Sequence, residues 1–101
     1  MIPSGNITEL QPGEIFVFGS NTAGKHGKGA AKQAQKWGAV WGEGEGLFGR
    51  TYGIPTKNRN LEVLPLQNIR AHVERFLSFA HVHTSLTFLV TQIGCGLAGY
   101  K

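Results

Sequence analysis

The chain has 101 residues, a length that fits a single domain over residues 1–101. Hydrophobic residues make up 41% of it and charged residues 16%, which excludes a disordered, highly charged chain. Ten Lys and Arg residues against six acidic residues give a formal charge of +4, which favours anionic ligands such as phosphates. One cysteine excludes an internal disulfide, and no apolar stretch approaches the ~20 residues of a membrane span, so we expect a cytoplasmic protein without a membrane partner.

The first predicted elements are a strand, a glycine-rich turn and a helix. The continuous apolar run at residues 15–18 predicts a strand that is buried on both faces. The turn GSNTAGKHGKG follows it, and a helix is predicted over residues 29–37. Ala30, Ala34 and Trp37 share one face of this helix, and lysines occupy the other face, so the apolar face is expected to pack on a sheet.

The second half of the chain predicts a strand, a long helix and another strand. Residues 42–49, GEGEGLFG, are expected to break regular structure, and RTYGIP at 50–55 predicts a short strand that Pro55 stops. Residues 66–80 predict the clearest helix, and residues 86–93 predict a second strong strand. The apolar residues at helical spacing are Leu66, Ile69, Val73, Phe76, Leu77 and Ala80. Strands that alternate with helices predict an α/β fold with a mostly parallel sheet.

Both strongly apolar strands are followed by glycine-rich turns, GSNTAGKHGKG after the first and GCGLAG after the last. In a parallel sheet, ligands bind outside the carboxyl ends of the strands. Glycine allows backbone N–H groups to approach a phosphate closely, and a helix start behind the turn adds to the attraction. Lys25 and Lys28 supply positive charge at the first turn. The sequence therefore predicts a phosphate-containing ligand at this edge.

Four segments in order resemble the macro domain family, whose members bind ADP-ribose. They are GNIT at residues 5–8, SN at 20–21 followed by GKHGKGAAKQA, GEGLFGRTYGIPTK at 44–57 and FLVTQIGCGLAGY at 88–100. The resemblance implies a divergent, compact, three-layer α/β/α macro-like fold with a mostly parallel mixed sheet. Family members continue past the second glycine loop, so we expect either a chain that is cut at its C-terminal end or a homo-oligomer that covers this loop.

The resemblance also implies which residues contact the ligand. Asn6 would accept a hydrogen bond from the adenine, Ile7 would lie beside the base, and Ser20 and Asn21 would line the distal ribose. Tyr100 would border the ribose or the adenine. The two implied phosphate loops consist of Gly24, Gly27 and Gly29, and of Gly94, Cys95, Gly96, Leu97, Ala98 and Gly99.

Whether such a domain also hydrolyses ADP-ribosyl linkages is left open by the residues. Hydrolysis needs a water held by Asn21, with His26, Glu45 or Lys57 assisting as acid, base or electrostatic partner. All six acidic residues are Glu, so a mechanism that requires Asp is excluded. No cofactor is predicted, and no metal site either, because the two histidines after the long helix have no further ligands near them in sequence.

A basic nucleic-acid-binding module is the alternative to a domain that binds ADP-ribose or another NAD-derived nucleotide. Lys25, Lys28, Lys32 and Lys36 would contact the phosphate backbone in that case. The lysines also fit an ordinary solvated helix face, and no aromatic-rich RNA-binding motif accompanies them. A third hypothesis is a structural domain that binds no ligand, since tight turns also require glycine.

Overall fold

Residues 7–27 and 29–91 are described by a computed structural model of the protein. The strands are β1 (Glu14–Asn21), β2 (Gly46–Phe48), β3 (Thr51–Lys57) and β4 (Thr87–Val90). The helices are α1 (Gly29–Ala34), which continues as a 3-10 turn over Gln35–Trp37, and α2 (Leu66–Val82). Across these ranges the elements form a mixed four-stranded sheet with two α-helices, which confirms the predicted α/β class.

The sheet has the strand order β2-β3-β1-β4, so β1 is an inner strand. β1 pairs in parallel with β3 on one side and with β4 on the other, whereas β2 runs antiparallel to β3. The chain passes from β1 through α1 to β3, and then through α2 back across β1 to β4. The carboxyl ends of β1 and β3 therefore lie side by side at one edge.

The two helices pack on opposite faces of β1 because its side chains alternate. Ile15 and Val17 belong to a cluster that includes residues of α2, and Phe16 and Phe18 belong to a cluster that includes the alanines of α1. All four side chains are buried, which confirms the predicted strand with two covered faces. The loops after β1 and β3 leave toward opposite faces, and this is the kind of switch point at which open α/β sheets bind ligands.

The first helix is shorter than the predicted span of residues 29–37. It is α-helical only to Ala34 and then tightens into the 3-10 turn, which ends at Gly38 with a φ of 115°. Ala31 and Ala34 are its buried residues, and the ring of Trp37 packs 4.9 Å from that of Phe16. Small side chains at this contact allow the short helix to lie close to the sheet.

The second helix covers the predicted residues and extends to Val82. Ile69 and Phe76 are buried, with Val73 and other residues partly buried beside them. Leu66 and Leu77 were expected on the same face, and this expectation is wrong because both are exposed. At about 100° per residue they lie roughly 70° from the centre of the buried stripe. No helix in the described ranges has both the length and the apolar character needed to cross a membrane.

Two sequence predictions around β2 and β3 are wrong. Residues 42–49 were expected to lack regular structure, but Gly46–Phe48 forms β2. Pro55 was expected to stop its strand, but β3 continues to Lys57. Proline is accepted there because β2 pairs only with the first residues of β3, and the register to β1 shifts directly beside Pro55. The last predicted strand is seen as β4, and residues 92–93 of that prediction lie outside the described ranges.

Candidate functional site

Three loops meet at the carboxyl ends of β1 and β3. They are the glycine loop (residues 22–27), the support loop (residues 39–45) and the hairpin loop (residues 58–62). The strand ends beneath them are joined in register, Asn21 opposite Lys57, and the Thr22 N–H donates to the Lys57 carbonyl at 2.9 Å. The glycine-rich turn therefore lies at this edge, where the sequence predicts a ligand.

Asn21 fixes the shape of the glycine loop. Its side-chain Nδ2 donates to the carbonyl of Lys25 at 2.9 Å, and its Oδ1 accepts from the Lys25 N–H at 2.8 Å. The Gly24 N–H donates to the Asn21 carbonyl at 3.0 Å. The buried Asn21 side chain retains one N–H and one oxygen lone pair for a ligand. The N–H groups of Gly24 and Lys25 are both used within the loop.

The three glycines predicted to form the first phosphate loop have different roles. Gly24 has a φ of 69°, and a Cβ there would overlap Glu43 and lie 2.7 Å from the Cα of Gly42, so this position requires glycine for packing. Gly29 has a φ of 59° and open space around it, and a Cβ on Gly27 would meet only the Trp41 ring at 4.0 Å. No bond from the N–H groups of Gly27 and Gly29 to another residue is found in the described part of the chain.

His26 is fully buried and joins the glycine loop to the support loop. Its Nε2 lies 2.9 Å from the carbonyl of Val40 and 3.1 Å from that of Glu43, so this nitrogen carries the proton and donates. The ring packs edge-on against Phe18 at 5.5 Å. Nδ1 has no partner among the described residues. A role as a general base would therefore depend on Nδ1, because Nε2 is committed to the two carbonyls.

Ser20 and Gly44 form the second attachment of the support loop. The Ser20 hydroxyl donates to the Gly44 carbonyl, and both residues are buried. A Cβ on Gly44 would overlap the carbonyl oxygen of Asn21, and a Cβ on Gly53 would lie 2.6 Å from the Gly44 oxygen. Backbone thus packs directly on backbone at the end of β1. Ser20 is occupied with the support loop, although its oxygen can still accept from a ligand.

The carboxylate of Glu45 points toward α2. Its Oε2 lies 2.8 Å from Nδ1 of His72 and 2.9 Å from Nε of Arg75, whose Nη2 contacts Oε1 at 3.2 Å. Burial raises the pKa of Glu45, but hydrogen bonds and charge from Arg75 and His72 outweigh it, so the pKa lies below its ordinary value of 4.5. Burial and the Glu45 carboxylate raise the pKa of Tyr52. The predicted catalytic carboxylate therefore lies on the α2 side, whereas His26 packs on the Phe18 side.

The Glu45→Gln variant is expected to lose part of the stability of the wild type at pH 7 but not at pH 3. A lowered pKa in the folded state means that the ion pair stabilises the protein above pH 4.5, and that this contribution disappears as the pH falls through the folded-state pKa. Arg75 is exposed, so solvent screens the ion pair and the difference at pH 7 should be small. Urea unfolding at both pH values measures the difference in free energy of unfolding between the variant and the wild type. Glu74→Gln, which removes an exposed carboxylate of α2, is the control, and an equal deficit for Glu45→Gln at both pH values would contradict the prediction.

Lys57 and Ile7, two further residues of the predicted site, lie in different parts of the fold. Lys57 is partly buried at the end of β3, where its carbonyl accepts from Thr22. Ile7 packs against the cluster around Phe16 and Phe18, and its carbonyl accepts from the Gln33 side chain of α1. Contact between Ile7 and a base stays a prediction.

The remaining predicted ligand contacts lie outside the described residues, and so does Lys28. They are Asn6, Gly94, Cys95, Gly96, Leu97, Ala98, Gly99 and Tyr100. The second glycine loop thus stays a prediction. In the part of the chain that is described, no three His, Cys, Asp or Glu side chains are grouped so that they could hold a metal ion.

Sequence reasoning missed several contacts that shape this site. The Nζ of Lys25 donates to the carbonyl of Arg59 at 3.1 Å and so joins the glycine loop to the hairpin loop. The pairing of Glu45 with α2 also has no local sequence signal, because its partners lie far along the chain. The hairpin loop does have a local sequence signal, since NRN between two β-prone stretches is typical of a turn.

No protein-family model matches this sequence, no curated protein is significantly similar to it, and no solved structure shows significant similarity to the fold. The function of the site is therefore inferred from its geometry together with the sequence motifs, and membership of the macro domain family stays a prediction.

Proposed function

We propose that this chain is a macro-like domain that binds ADP-ribose, or a related nucleotide diphosphate, at the carboxyl ends of β1 and β3. The observation that carries the proposal is the glycine loop at the switch point of the sheet. The Asn21 side chain holds the backbone of this loop through two hydrogen bonds to Lys25. No bond from the N–H groups of Gly27 and Gly29 is found within the described residues. Backbone amides arranged in this way form phosphate sites in open α/β folds.

The glycine loop is already held in shape, which favours affinity. His26 and Ser20 attach the support loop, and Gly42 donates its N–H to the Gly24 carbonyl at 2.9 Å. A loop fixed in this way loses little conformational entropy when a ligand binds. The proposal includes the second loop at residues 94–99 as the other side of the diphosphate site. It also includes the three-layer macro-like fold, for which the packing of one helix on each face of β1 is the support.

Binding without hydrolysis is the form of the proposal that the hydrogen bonds favour. His26 uses Nε2 for two backbone carbonyls, and Glu45 is paired with Arg75 and His72 on the α2 side. A hydrolytic role for His26 would have to use Nδ1, and one for Glu45 would have to compete with its ion pair to Arg75. Lys57 would stabilise negative charge on a bound diphosphate, which assists binding as much as it would assist a reaction.

The nucleic-acid alternative receives less support from the placement of its lysines. Lys25 donates to the carbonyl of Arg59 within the site. Lys36 lies over the ring of Trp37, with Nζ 4.7 Å from the ring centroid, and Lys32 is exposed on α1. Lys25 and Lys36 thus make different local contacts.

Calorimetry with ADP-ribose tests the proposal, and tryptophan fluorescence reports where the ligand binds. The sequence has two tryptophans, and Trp41, which is 61% exposed, lies edge-on to the ring of His26 in the glycine loop, with 6.3 Å between the ring centroids. We expect ADP-ribose to change the emission of the Trp37→Phe variant, in which Trp41 alone remains. The Trp41→Phe variant, which retains the packed Trp37, is the control and should respond little.

Two results would contradict the proposal. One is the absence of both binding heat and an emission change at millimolar ADP-ribose. The other is preferential binding of a short RNA with an affinity that falls steeply as salt rises, because that behaviour would favour the nucleic-acid alternative.

A further inference from the structure

The hairpin loop places a leucine where its geometry normally requires glycine. The Asn58 N–H donates to the Glu62 carbonyl at 2.7 Å, the Leu61 N–H donates to the Asn58 carbonyl at 2.9 Å, and Lys57 and Val63 are bridged beyond them. This is a three-residue hairpin connection, in which the third loop residue adopts the left-handed conformation. Leu61 has a φ of 63° and is the one non-glycine residue with a positive φ in the described ranges. Glycine is the usual choice at this position.

Burial does not offset the cost of this conformation. A left-handed backbone is unfavourable for leucine because its Cβ approaches the neighbouring carbonyl oxygen. The Leu61 side chain is 52% exposed and belongs to neither core cluster. The Asn58 side chain stabilises the loop independently of Leu61, since its Oδ1 accepts from the N–H groups of Asn60 and Glu62 at 2.8 and 3.0 Å. The folded structure thus gains nothing visible from leucine over glycine at this position.

The strained residue lies beside the candidate site. The hairpin loop follows β3 directly at the carboxyl edge, where Lys57 pairs with Asn21. Lys25 of the glycine loop reaches across and donates to the Arg59 carbonyl, two residues before Leu61. Strained residues that persist without a structural benefit are concentrated at ligand-binding positions. An apolar side chain here offers no hydrogen bond, so its partner must be an apolar part of the ligand.

We propose that Leu61 is a ligand-contact residue on which the base of the bound nucleotide packs, so that the hairpin loop forms one wall of the site. This inference rests on the nucleotide-binding function proposed above. The flat face of a base matches a single projecting aliphatic side chain. A protein partner would need roughly 800 Å² on this surface. The neighbours of Leu61 in the loop, Arg59, Asn60 and Glu62, are polar or charged, and Val63 is the one exposed large hydrophobic residue next to the loop in the sequence.

Leu61→Gly tests the inference because it removes the strain and the contact together. We expect its melting temperature to rise by about 4 °C, since glycine adopts the left-handed conformation without strain. We also expect its Kd for ADP-ribose to rise about tenfold, because apolar contact area with the base is lost. Its Kd for inorganic pyrophosphate, which has no base, should stay within about twofold. Leu61→Asn should behave in the same way, because asparagine also tolerates this conformation.

Two matched variants serve as controls. Leu61→Met retains an apolar side chain at the same backbone strain and should keep the wild-type melting temperature and Kd. Leu77→Asn changes a similarly exposed leucine on α2, which is 57% exposed, and should leave the affinity for ADP-ribose unchanged.

Unchanged ADP-ribose affinity in both Leu61→Gly and Leu61→Asn would overturn the role of Leu61 while leaving the proposed nucleotide-binding function intact. A lower melting temperature in both variants would also overturn it, because Leu61 would then be required for the fold. If the wild type binds pyrophosphate but Leu61→Gly weakens pyrophosphate and ADP-ribose equally, the contact is not with the base. A wild type that binds neither ligand would overturn the proposed function and this inference together.

Discussion

Replacement of Gly44 by alanine is expected to destabilise the protein by about 3 kcal/mol or more. The new Cβ would overlap the carbonyl oxygen of Asn21 and lie 3.1 Å from its carbonyl carbon. These atoms belong to the backbone of an inner strand, so they cannot rotate away as the end of a flexible side chain could. The support loop would have to move outward, which would break the bond from the Ser20 hydroxyl to the Gly44 carbonyl.

Urea unfolding followed by circular dichroism measures this effect, and Gly27→Ala is the matched control. A Cβ on Gly27 meets only the Trp41 ring, at the ordinary contact distance of 4.0 Å, so the change in free energy of unfolding should stay within about 0.5 kcal/mol. Equal stability of the two variants would show that the support loop does not pack against β1 in the way described.

The His26→Ala variant should lose about 3 kcal/mol of stability, and the loss should be structural. The substitution opens a cavity beside the Phe18 ring and removes the side-chain donor to the carbonyls of Val40 and Glu43, of which the Val40 carbonyl still accepts from the Glu43 N–H. His26→Phe fills most of the cavity without restoring the donor, so it should recover only part of the loss. Thermal and urea unfolding of both variants separates the packing contribution from the hydrogen bonds.

His81→Ala provides the comparison for a histidine without such contacts. His81 is exposed near the end of α2, and its replacement should change stability by less than about 0.5 kcal/mol. If His26→Ala were as stable as this control, His26 would not anchor the support loop. A role in chemistry through its free Nδ1 would then become the better explanation for a buried histidine at this place.

The parts of the fold that sequence predicts are those with strong local patterns. Four adjacent apolar residues predict β1, and apolar residues at helical spacing predict α2. β2 was missed because its three residues begin with Gly46 and lie among further glycines, which locally indicate a break. The continuation of β3 through Pro55 depends on where β2 ends and where the register to β1 shifts. Neither fact is visible in the sequence around Pro55.

The glycine-rich turn lies at the carboxyl edge of the sheet, where the sequence places the candidate site, but the hydrogen bonds of the side chains around it were not predictable. From the sequence, Asn21, His26 and Glu45 are candidate residues of one site because they are polar groups near glycines. Their hydrogen bonds depend on how the support loop folds back onto β1 and on how α2 crosses the sheet. Such tertiary contacts join segments that are distant in the chain, and residue type alone does not specify them. Leu61 shows the same limit, because its unusual φ follows from the hairpin geometry and not from leucine itself.

The inner position of β1 has a consequence for how the chain is made. β1 is synthesised early, but the residues that pair with it on either side, around Thr51 and Leu89, follow much later. Until they emerge from the ribosome, the four apolar side chains at residues 15–18 have no sheet partner, and parallel pairing across long stretches of chain forms slowly. Glu14, at the entrance of this strand, carries a charge that discourages association with other nascent chains. The strand that organises the finished fold is thus the segment that most needs protection during biosynthesis.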